Sequence, residues 1–329
     1  MISAKHGPHP AGAPIGAELL DADALTALLA PQLGAGFRVV GVTPVAHAPG
    51  KRWVAVCRTT DAGGDGADLI VKLYTDAARA TRSHDVLEQL YARRTAQWSV
   101  PRPIAVLPTH GLSVHESARG RSLDELAEPA RTEALVASAR WIAALHGMTF
   151  DFQRRVNMDS EIRKIGEWAD LVSAQQPDAA AMVTQLRDWL VLRAATFESP
   201  SDTTIHRDFQ YRHVLVEDGN ATVIDFDEVR TGDPAFDVAH FGANLRLLAI
   251  REQLSDADAA RLAAVFLIEY SAAAGDRAGR NYDFCYAYTC LKIAKQLVRG
   301  RGPAPVPEGE AQARQVRLML EEGLHWTRL

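Results

Sequence analysis

Residues 206–216 read HRDFQYRHVLV, and after a short turn residues 223–227 read VIDFD. This order predicts an acidic loop, a short hairpin strand, and then a second acid at the end of a strand. It places Asp208 and Asp225 at one mouth of the fold. One carboxylate there could serve as a base for an attacking hydroxyl group, and the other as a metal ligand for nucleotide phosphates.

Upstream of this stretch the chain is strand-like. Two helices are predicted, one at 21–33 and one that carries the apolar stripe Val86, Leu87, Leu90 and Tyr91. Strands are predicted around 39–45, 53–56 and 69–74, with shorter ones at 104–107 and 112–114. A turn at 49–50 and a hairpin loop at 63–66 connect the first three strands. From Ser122 onward long helices predominate, at 133–146, 162–174, 180–195 and several after Pro234. A strand-rich half followed by a helical half predicts an α+β protein of two lobes with a cleft between them, joined near 116–120.

Composition narrows the class of protein. The 329 residues contain 47% hydrophobic and 23% charged residues, which is ordinary for a globular protein. A formal net charge of −5 argues against binding to nucleic acid through phosphate neutralisation. Three cysteines without a CxxC pair, no apolar signal-like start and no apolar run long enough for a membrane span together favour a cytoplasmic protein.

The stretch at 206–227 resembles the catalytic and metal-binding loops of the aminoglycoside phosphotransferase and choline kinase superfamily, relatives of the protein kinases. It is most similar to an uncharacterised branch whose loop begins HRDF. GDPAFDVA at 232–239 resembles the GDPxxDLA element of that superfamily, and RWIAALH at 140–146 resembles its helix ending in Leu-His. The similarity covers roughly residues 36–300 and several spaced elements coincide in order.

The resemblance implies a bilobal protein-kinase-like fold. The small antiparallel sheet with one helix would form the N-lobe, and a larger, mainly helical C-lobe would follow. We expect a flexible leader at residues 1–20, a nucleotide-binding N-lobe at 21–116, and a C-lobe at 117–329 that carries the catalytic loop and binds metal and acceptor.

The same resemblance assigns roles in the C-lobe. Asp208 would be the catalytic base, with His206 in the same loop and bonding backbone groups more than carrying protons. Asp225 would bind the metal, and Asp227 would be an auxiliary ligand or a solvated acid. His213 stands where the family has Asn or Gln. Since Mg²⁺ prefers oxygen and imidazole suits softer ions, this second metal site is missing, altered, or carried by Asp227.

In the N-lobe, Lys72 matches the phosphate-pairing lysine of the family, and Glu88 lies where the family keeps the carboxylate that orients it. Ile70 shares a strand face with Lys72 and would cover the adenine from above, with Leu215 below it. The backbone of the hinge residues would read the adenine edge; these are Val114, His115 and Glu116. No GxGxxG precedes Lys72, a departure that related small-molecule kinases share.

The implied function is phosphorylation of a hydroxyl group on a small molecule, such as an antibiotic, sugar or metabolite, with ATP or GTP as donor and Mg²⁺ or Mn²⁺ as the ion. Two alternatives stay open: a non-catalytic, ligand-binding pseudokinase, and a kinase acting on a peptide Ser or Thr. We expect no nucleic-acid or membrane partner and a monomer or dimer. Asp237 is interpreted as a buried acid that ties the loop together, and Arg207 and Arg212 as solvated.

Overall fold

The computed structural model describes residues 20–48, 50–64, 66–95, 97–198, 202–300 and 307–328. Residues 1–19 of the predicted leader lie outside this set. The chain divides into two compact units. The first consists of the residues up to Arg94 together with Val100–Ala118, and the second of Thr95–Ser99 together with Arg119–Leu329.

The first unit is built on an antiparallel sheet of five strands in the order β1-β2-β3-β5-β4. The strands are β1 (Arg38–Ala48), β2 (Arg52–Thr60), β3 (Asp68–Tyr74), β4 (Pro103–Leu107) and β5 (Leu112–Glu116). Helix α1 (Ala22–Leu33) begins after Asp21, whose carboxylate accepts hydrogen bonds from the amides of Asp23 and Ala24. Helix α2 (Ala77–Tyr91) lies between β3 and β4 in the chain.

One face of this sheet packs on α1. Leu25 and Leu29 of the helix and Val71 and Leu73 of β3 belong to the same buried apolar cluster. Each such side chain contributes roughly 1.5–3 kcal/mol through burial. Because side chains alternate along a strand, Lys72, between Val71 and Leu73, points to the opposite face, yet it is only 6% exposed. The sheet therefore holds a buried lysine on the face away from its apolar core.

The second unit is mainly helical. Its helices are α3 (Ala130–Gly147), α4 (Met158–Gln175), α5 (Ala180–Ala194), α6 (Ala235–Glu252), α7 (Asp256–Ala274), α8 (Tyr282–Val298) and α9 (Gly309–Trp326). Two small antiparallel pairs accompany them: β6 (Thr203–Ile205) with β9 (Arg230–Gly232), and β7 (Val214–Glu217) with β8 (Asn220–Val223). Helix α6 is buried along most of its length, which is typical of a core helix.

An aromatic stack forms the floor below the loop at 206–209. Phe209 lies between Trp141 of α3, with ring centroids 6.1 Å apart, and Phe241 of α6, at 5.0 Å. Phe241 in turn stacks on Phe266 of α7 at 4.2 Å. All four rings are almost fully buried. Since Phe209 follows Asp208 directly in the chain, the packing of this ring anchors the backbone of the loop at Asp208.

The predicted α+β class is confirmed, with a small antiparallel sheet and a mostly helical remainder. The sequence pattern did not predict β6 and β9, because three-residue strands are too short to show a period. Among the described residues, none of the helices is both long and apolar enough to cross a bilayer.

Candidate active site

The loop that carries Asp208 is held by a carboxylate from helix α6. The Arg207 backbone has a φ of +72°, an uncommon conformation for a residue with a side chain. The amides of His206 and Arg207 donate hydrogen bonds of 2.6 Å to Asp237 Oδ2 and Oδ1 respectively. His146 Nε2 lies 3.1 Å from Asp237 Oδ2. The interpretation of Asp237 as a buried acid tying the loop together is confirmed, since it is 0% exposed.

Electrostatics favour the charged form of this anchor. Burial raises the pKa of Asp237, but the hydrogen bond and charge of His146 and the contacts of His206 outweigh burial, so the pKa ends below its usual range. The negative charge on Asp237 therefore persists inside the protein, where it holds two successive amides of the loop.

The side chain of Arg207 is buried, so the expectation that it would be solvated is wrong. One terminal nitrogen, Nη2, lies 2.8 Å from Glu161 Oε2 and 3.1 Å from the Tyr288 hydroxyl. The guanidinium also lies over the Phe236 ring at 4.1 Å. Glu161 is 46 positions away in the chain, on α4, and no local pattern points to it. Burial raises the pKa of Glu161, but the Arg207 charge and the hydrogen bonds of Tyr288 and Lys164 lower it by more, so that it ends at about 2.

His206 bonds backbone groups with both ring nitrogens. Its Nε2 lies 3.0 Å from the Ile224 carbonyl oxygen, which only accepts, so Nε2 carries the proton. Its Nδ1 accepts the Asp208 amide at 3.3 Å. Burial lowers the pKa of His206, although Asp237 acts in the opposite direction. These contacts support a structural role for His206 in the loop.

Asp208 has two cationic or polar partners from distant helices. Lys292 Nζ of α8 lies 2.8 Å from Asp208 Oδ1, and His240 Nε2 of α6 lies 3.3 Å from the same oxygen. Burial raises the pKa of Asp208, but Lys292, His240 and His213 outweigh it and hold the pKa well below its usual range. The carboxylate is therefore fully ionised at neutral pH.

Asp208, His213 and Asp225 each offer a ligand atom, and the three atoms lie within 4.8 Å of one another. His213 Nδ1 lies 2.8 Å from the Asp208 carbonyl oxygen and so carries the ring proton. Its Nε2, 3.3 Å from Gln210 Nε2, keeps the lone pair. Two carboxylates and an imidazole form a donor set that fits a divalent cation.

The backbone contributes to this arrangement. Asp225 has a φ of +66°, a left-handed conformation rare for a residue with a side chain, at the start of the short turn Phe226–Glu228. Such conformations cluster at functional sites. Asp227 lies on that turn and is 8% exposed, and its carbonyl oxygen accepts from Arg154 Nη1 at 2.7 Å. Leu215, on β7, pairs with Thr222 of β8.

In the first unit, Ile70 and Lys72 occupy alternate positions of β3, opposite His115 and Ser113 of β5. They share a face as predicted. Glu88 of α2 has an exposed side chain, with 59% of its surface accessible, and it lies 3.4 Å from His84 Nε2. The role of Glu88 toward Lys72 stays a prediction.

The predicted hinge residues lie in or at the end of β5, where the sheet occupies part of their backbone. Val114 pairs with Val71 and Ala105, and His115 with Ile70 and Pro103. The Glu116 amide donates to the Arg102 carbonyl at 2.9 Å, and the Glu116 carbonyl oxygen lies 2.8 Å from His115 Nδ1. The adenine-reading role of these residues stays a prediction.

Two residues at the site escaped the sequence reasoning, Lys292 and His240. Lys292 interrupts the apolar run Cys290-Leu291-Lys292-Ile293-Ala294 in the middle of a helix. A lone lysine in such a run is the signal that could have shown it, because lysine is rarely buried without a partner. His240 follows the GDPAFDVA element directly, one helical turn after Asp237, on the same helix face.

The sequence profile of the phosphotransferase enzyme family, APH, matches residues 54–281. The chain belongs to this family. No curated protein sequence matches it significantly.

Solved structures share the fold of this family member at low sequence identity. A Ralstonia eutropha JMP134 protein provisionally named an aminoglycoside phosphotransferase is 16% identical, with a TM-score of 0.63 over 93% of this chain and 98% of its own. The amicoumacin kinase hAmiN, in complex with AMP-PNP, Ca²⁺ and amicoumacin, is 15% identical, with a TM-score of 0.60 over 86% and 87%. The aminoglycoside phosphotransferase APH(4)-Ia is 18% identical, with a TM-score of 0.58 over 92% and 97%. The predicted superfamily and kinase-like fold are confirmed.

Proposed function

We propose that this protein transfers the terminal phosphoryl group of ATP or GTP to a hydroxyl group of a small molecule. The observation that carries the proposal is the meeting of Asp208, His213 and Asp225, with ligand atoms within 4.8 Å, in a member of a phosphotransferase family. An ionised carboxylate beside a divalent-ion donor set fits the positioning and charge neutralisation that phosphoryl transfer needs.

In this mechanism the hydroxyl oxygen of the acceptor attacks the terminal phosphorus, and the bond from that phosphorus to the bridging oxygen breaks. Asp208 accepts a hydrogen bond from the hydroxyl group and then its proton. Because its pKa is held low, Asp208 takes the proton only once the new oxygen–phosphorus bond is forming, and its first task is to orient the nucleophile. The nucleoside diphosphate is the leaving group.

Asp225 and His213 would hold a divalent ion, with Asp227 on the adjoining turn as an auxiliary acid. A bound ion would neutralise charge on the phosphate oxygens of the nucleotide. Lys72 would pair with the same phosphates, oriented by Glu88. Ile70 and Leu215 would enclose the adenine ring, and the segment 114–116 would present backbone groups to its edge.

A small acceptor suits the segment between Asp227 and Asp233. Glu228 ends the short turn, and β9 begins two residues later, so these residues form a turn and a strand with no room for a long peptide-positioning loop. Arg154 and Arg230 both contact the Glu228 carboxylate, which further ties the segment down. Relatives named above include an amicoumacin kinase, which makes hydroxylated antibiotics the first acceptors to test.

The test is a screen for nucleotide consumption, with ATP or GTP and with Mg²⁺ or Mn²⁺, against a panel of hydroxylated antibiotics, sugars and metabolites. We expect one or more acceptors to raise consumption and to gain a phosphate detectable by mass spectrometry. Asp208→Asn is the control, and it should lose roughly 10²- to 10⁴-fold in rate while still binding nucleotide. A protein that binds nucleotide but phosphorylates nothing, even in a broad panel, would instead be a pseudokinase.

A further inference from the structure

The carboxylate of Asp208 is held asymmetrically by two helices. Lys292 Nζ and His240 Nε2 both approach Oδ1, at 2.8 and 3.3 Å. The other oxygen, Oδ2, faces His213, whose Nδ1 is 3.8 Å away. That distance exceeds a hydrogen bond, and the His213 Nδ1 proton is already directed to the Asp208 carbonyl oxygen at 2.8 Å. Lys292 therefore donates to Oδ1, His240 Nε2 lies close to the same oxygen, and Oδ2 keeps its lone pairs.

The state of His240 follows from its surroundings. A carboxylate oxygen only accepts, so His240 Nε2 must carry the proton that it shares with Asp208. Within the described part of the chain, Nδ1 of His240 is buried with no hydrogen-bond partner. The residue is only 2% exposed. Unpaired buried nitrogens are uncommon, and here the ring is oriented so that its other nitrogen, Nε2, lies 3.3 Å from Asp208 Oδ1.

Both donors stand on rigid elements. His240 lies on the buried helix α6, one turn after Asp237, which anchors the catalytic loop. Lys292 lies one turn after Tyr288 on α8, and Tyr288 contacts Glu161 and Arg207. Side chains on packed helices are positioned more precisely than side chains on loops. The catalytic loop itself contributes no cation to the Asp208 carboxylate, since Arg207 is turned away into its own ion pair.

We propose that Lys292 and His240 are positioning residues that select the proton-accepting oxygen of Asp208: they bind Oδ1, and Oδ2 faces the acceptor hydroxyl group. The pair fixes the rotation of the carboxylate, so that Oδ2 points toward the side where His213 lies. This inference rests on the proposed function for its catalytic consequence. The contact between Lys292 and Asp208 can be tested without any acceptor.

The acceptor-independent test is a double-mutant cycle on thermal unfolding, with Lys292→Met, Asp208→Asn and the double variant. Lys292→Met leaves a half-buried carboxylate without its cation, and we expect Tm to fall by roughly 2–6 °C. Asp208→Asn removes that uncompensated charge, so the double variant should be more stable than the sum of the two single changes predicts. Lys295→Met is the matched control on the same helix. Its Nζ lies over the Trp168 ring at 4.7 Å, and its effect should add to that of Asp208→Asn.

The catalytic test compares kcat and KM for the variants with the best acceptor of the screen. Lys292→Met should lower kcat by roughly 10- to 100-fold through misplacement of the base, with KM for the nucleotide nearly unchanged. Lys292→Arg should recover much of the loss, because it keeps a donor cation. His240→Gln retains a donor and should lose less than His240→Phe, which has none. Lys295→Met should leave kcat unchanged.

The possible results distinguish the Lys292–Asp208 contact from its role in catalysis. Additive Lys292→Met and Asp208→Asn effects on Tm would overturn the contact, and coupling in Tm with an unchanged kcat would overturn the positioning role. Coupling with a reduced kcat that Lys292→Arg restores would support both. If the wild-type protein phosphorylates no acceptor, the proposed function and the positioning role fail, while the Tm cycle still decides whether the contact exists.

Discussion

The family resemblance predicts an asparagine or glutamine ligand at the position of His213, and the ring of His213 is held in one orientation by the Asp208 carbonyl oxygen and by Gln210. In that orientation Nε2 carries the lone pair, and an ion bound there would replace the hydrogen bond from Gln210 Nε2. Imidazole nitrogen binds Mn²⁺ better, relative to Mg²⁺, than an amide oxygen does. In the proposed site, the imidazole of His213 would therefore shift the ion preference toward Mn²⁺, and the Asp225 carboxylate would bind either ion.

We predict that Mn²⁺ is favoured over Mg²⁺ more strongly in the wild-type protein than in His213→Asn. Mn²⁺ binding in the presence of AMP-PNP, measured by electron paramagnetic resonance with and without competing Mg²⁺, gives this preference without turnover. Equal metal selectivity in the two proteins would make His213 a packing residue of the loop.

Single residues also show where sequence reasoning stops. The positions of Asp208, Asp225 and Asp237 were predictable because their spacing follows a known motif. Lys292 was not, because it lies 84 positions from Asp208 and reaches it only through the packing of α8. Arg207 was assigned to solvent because its partners, Glu161 and Tyr288, lie 46 and 81 positions away. Charges in a buried site depend on such distant neighbours.

At the scale of elements, long periodic segments were predictable and short ones were not. The helix at 21–33 begins with the capping residue Asp21, and the strand at 69–74 shows alternating side chains, so the local sequence predicts both. Strands β6 and β9 have three residues each, and only pairing with each other across more than 20 intervening residues makes them strands. Strand β6 leads directly into the catalytic loop, so a strand beside the site was among the least visible elements.

The Glu161–Arg207–Tyr288 contacts join α4, the catalytic loop and α8, and they should make stability depend on acid. The folded pKa of Glu161 is about 2, below the usual value for glutamate, so its stabilising effect is fully present above about pH 4.5. It is lost as pH falls toward about 2. We expect the free energy of unfolding of the wild type to decrease over this range.

Glu161→Gln should be less stable at neutral pH by about 3–5 kcal/mol, because Arg207 is left as an unpaired buried charge. Its stability should then depend less on pH between about 5 and 3 than that of the wild type. Urea unfolding at several pH values measures both effects, with the exposed Glu167→Gln on the same helix as control. If Glu161→Gln and wild type lose stability in parallel on acidification, Glu161 does not carry the linkage.

At the scale of the whole molecule, we expect the two units to contribute different groups to the proposed reaction. The first unit offers a buried lysine on a five-stranded sheet, and the second offers the carboxylates and the imidazole. The fold class followed from the order of strands and helices, and the family from one motif-dense stretch. The acceptor did not follow, because one fold can host many substrates and neither the motif nor the order of elements specifies which.

The last prediction concerns nucleotide binding by the intact chain. A ligand that binds only the folded state stabilises it, by about 2.7 kcal/mol at a concentration 100 times Kd. We expect AMP-PNP with Mn²⁺ to raise Tm, and Lys72→Met to abolish most of that rise, because the lysine would lose its pairing with the phosphates. Glu88→Gln should reduce the rise less, since Glu88 is largely exposed and lies beside His84.

Arg58→Met, at an exposed position of β2, controls for loss of surface charge. Because Lys72→Met can change stability by itself, each variant is compared with its own nucleotide-free Tm. A full rise in Tm in Lys72→Met would show that this lysine does not contact the nucleotide. If Glu88→Gln reduces the rise more than Lys72→Met does, the carboxylate contributes through something other than orienting Lys72.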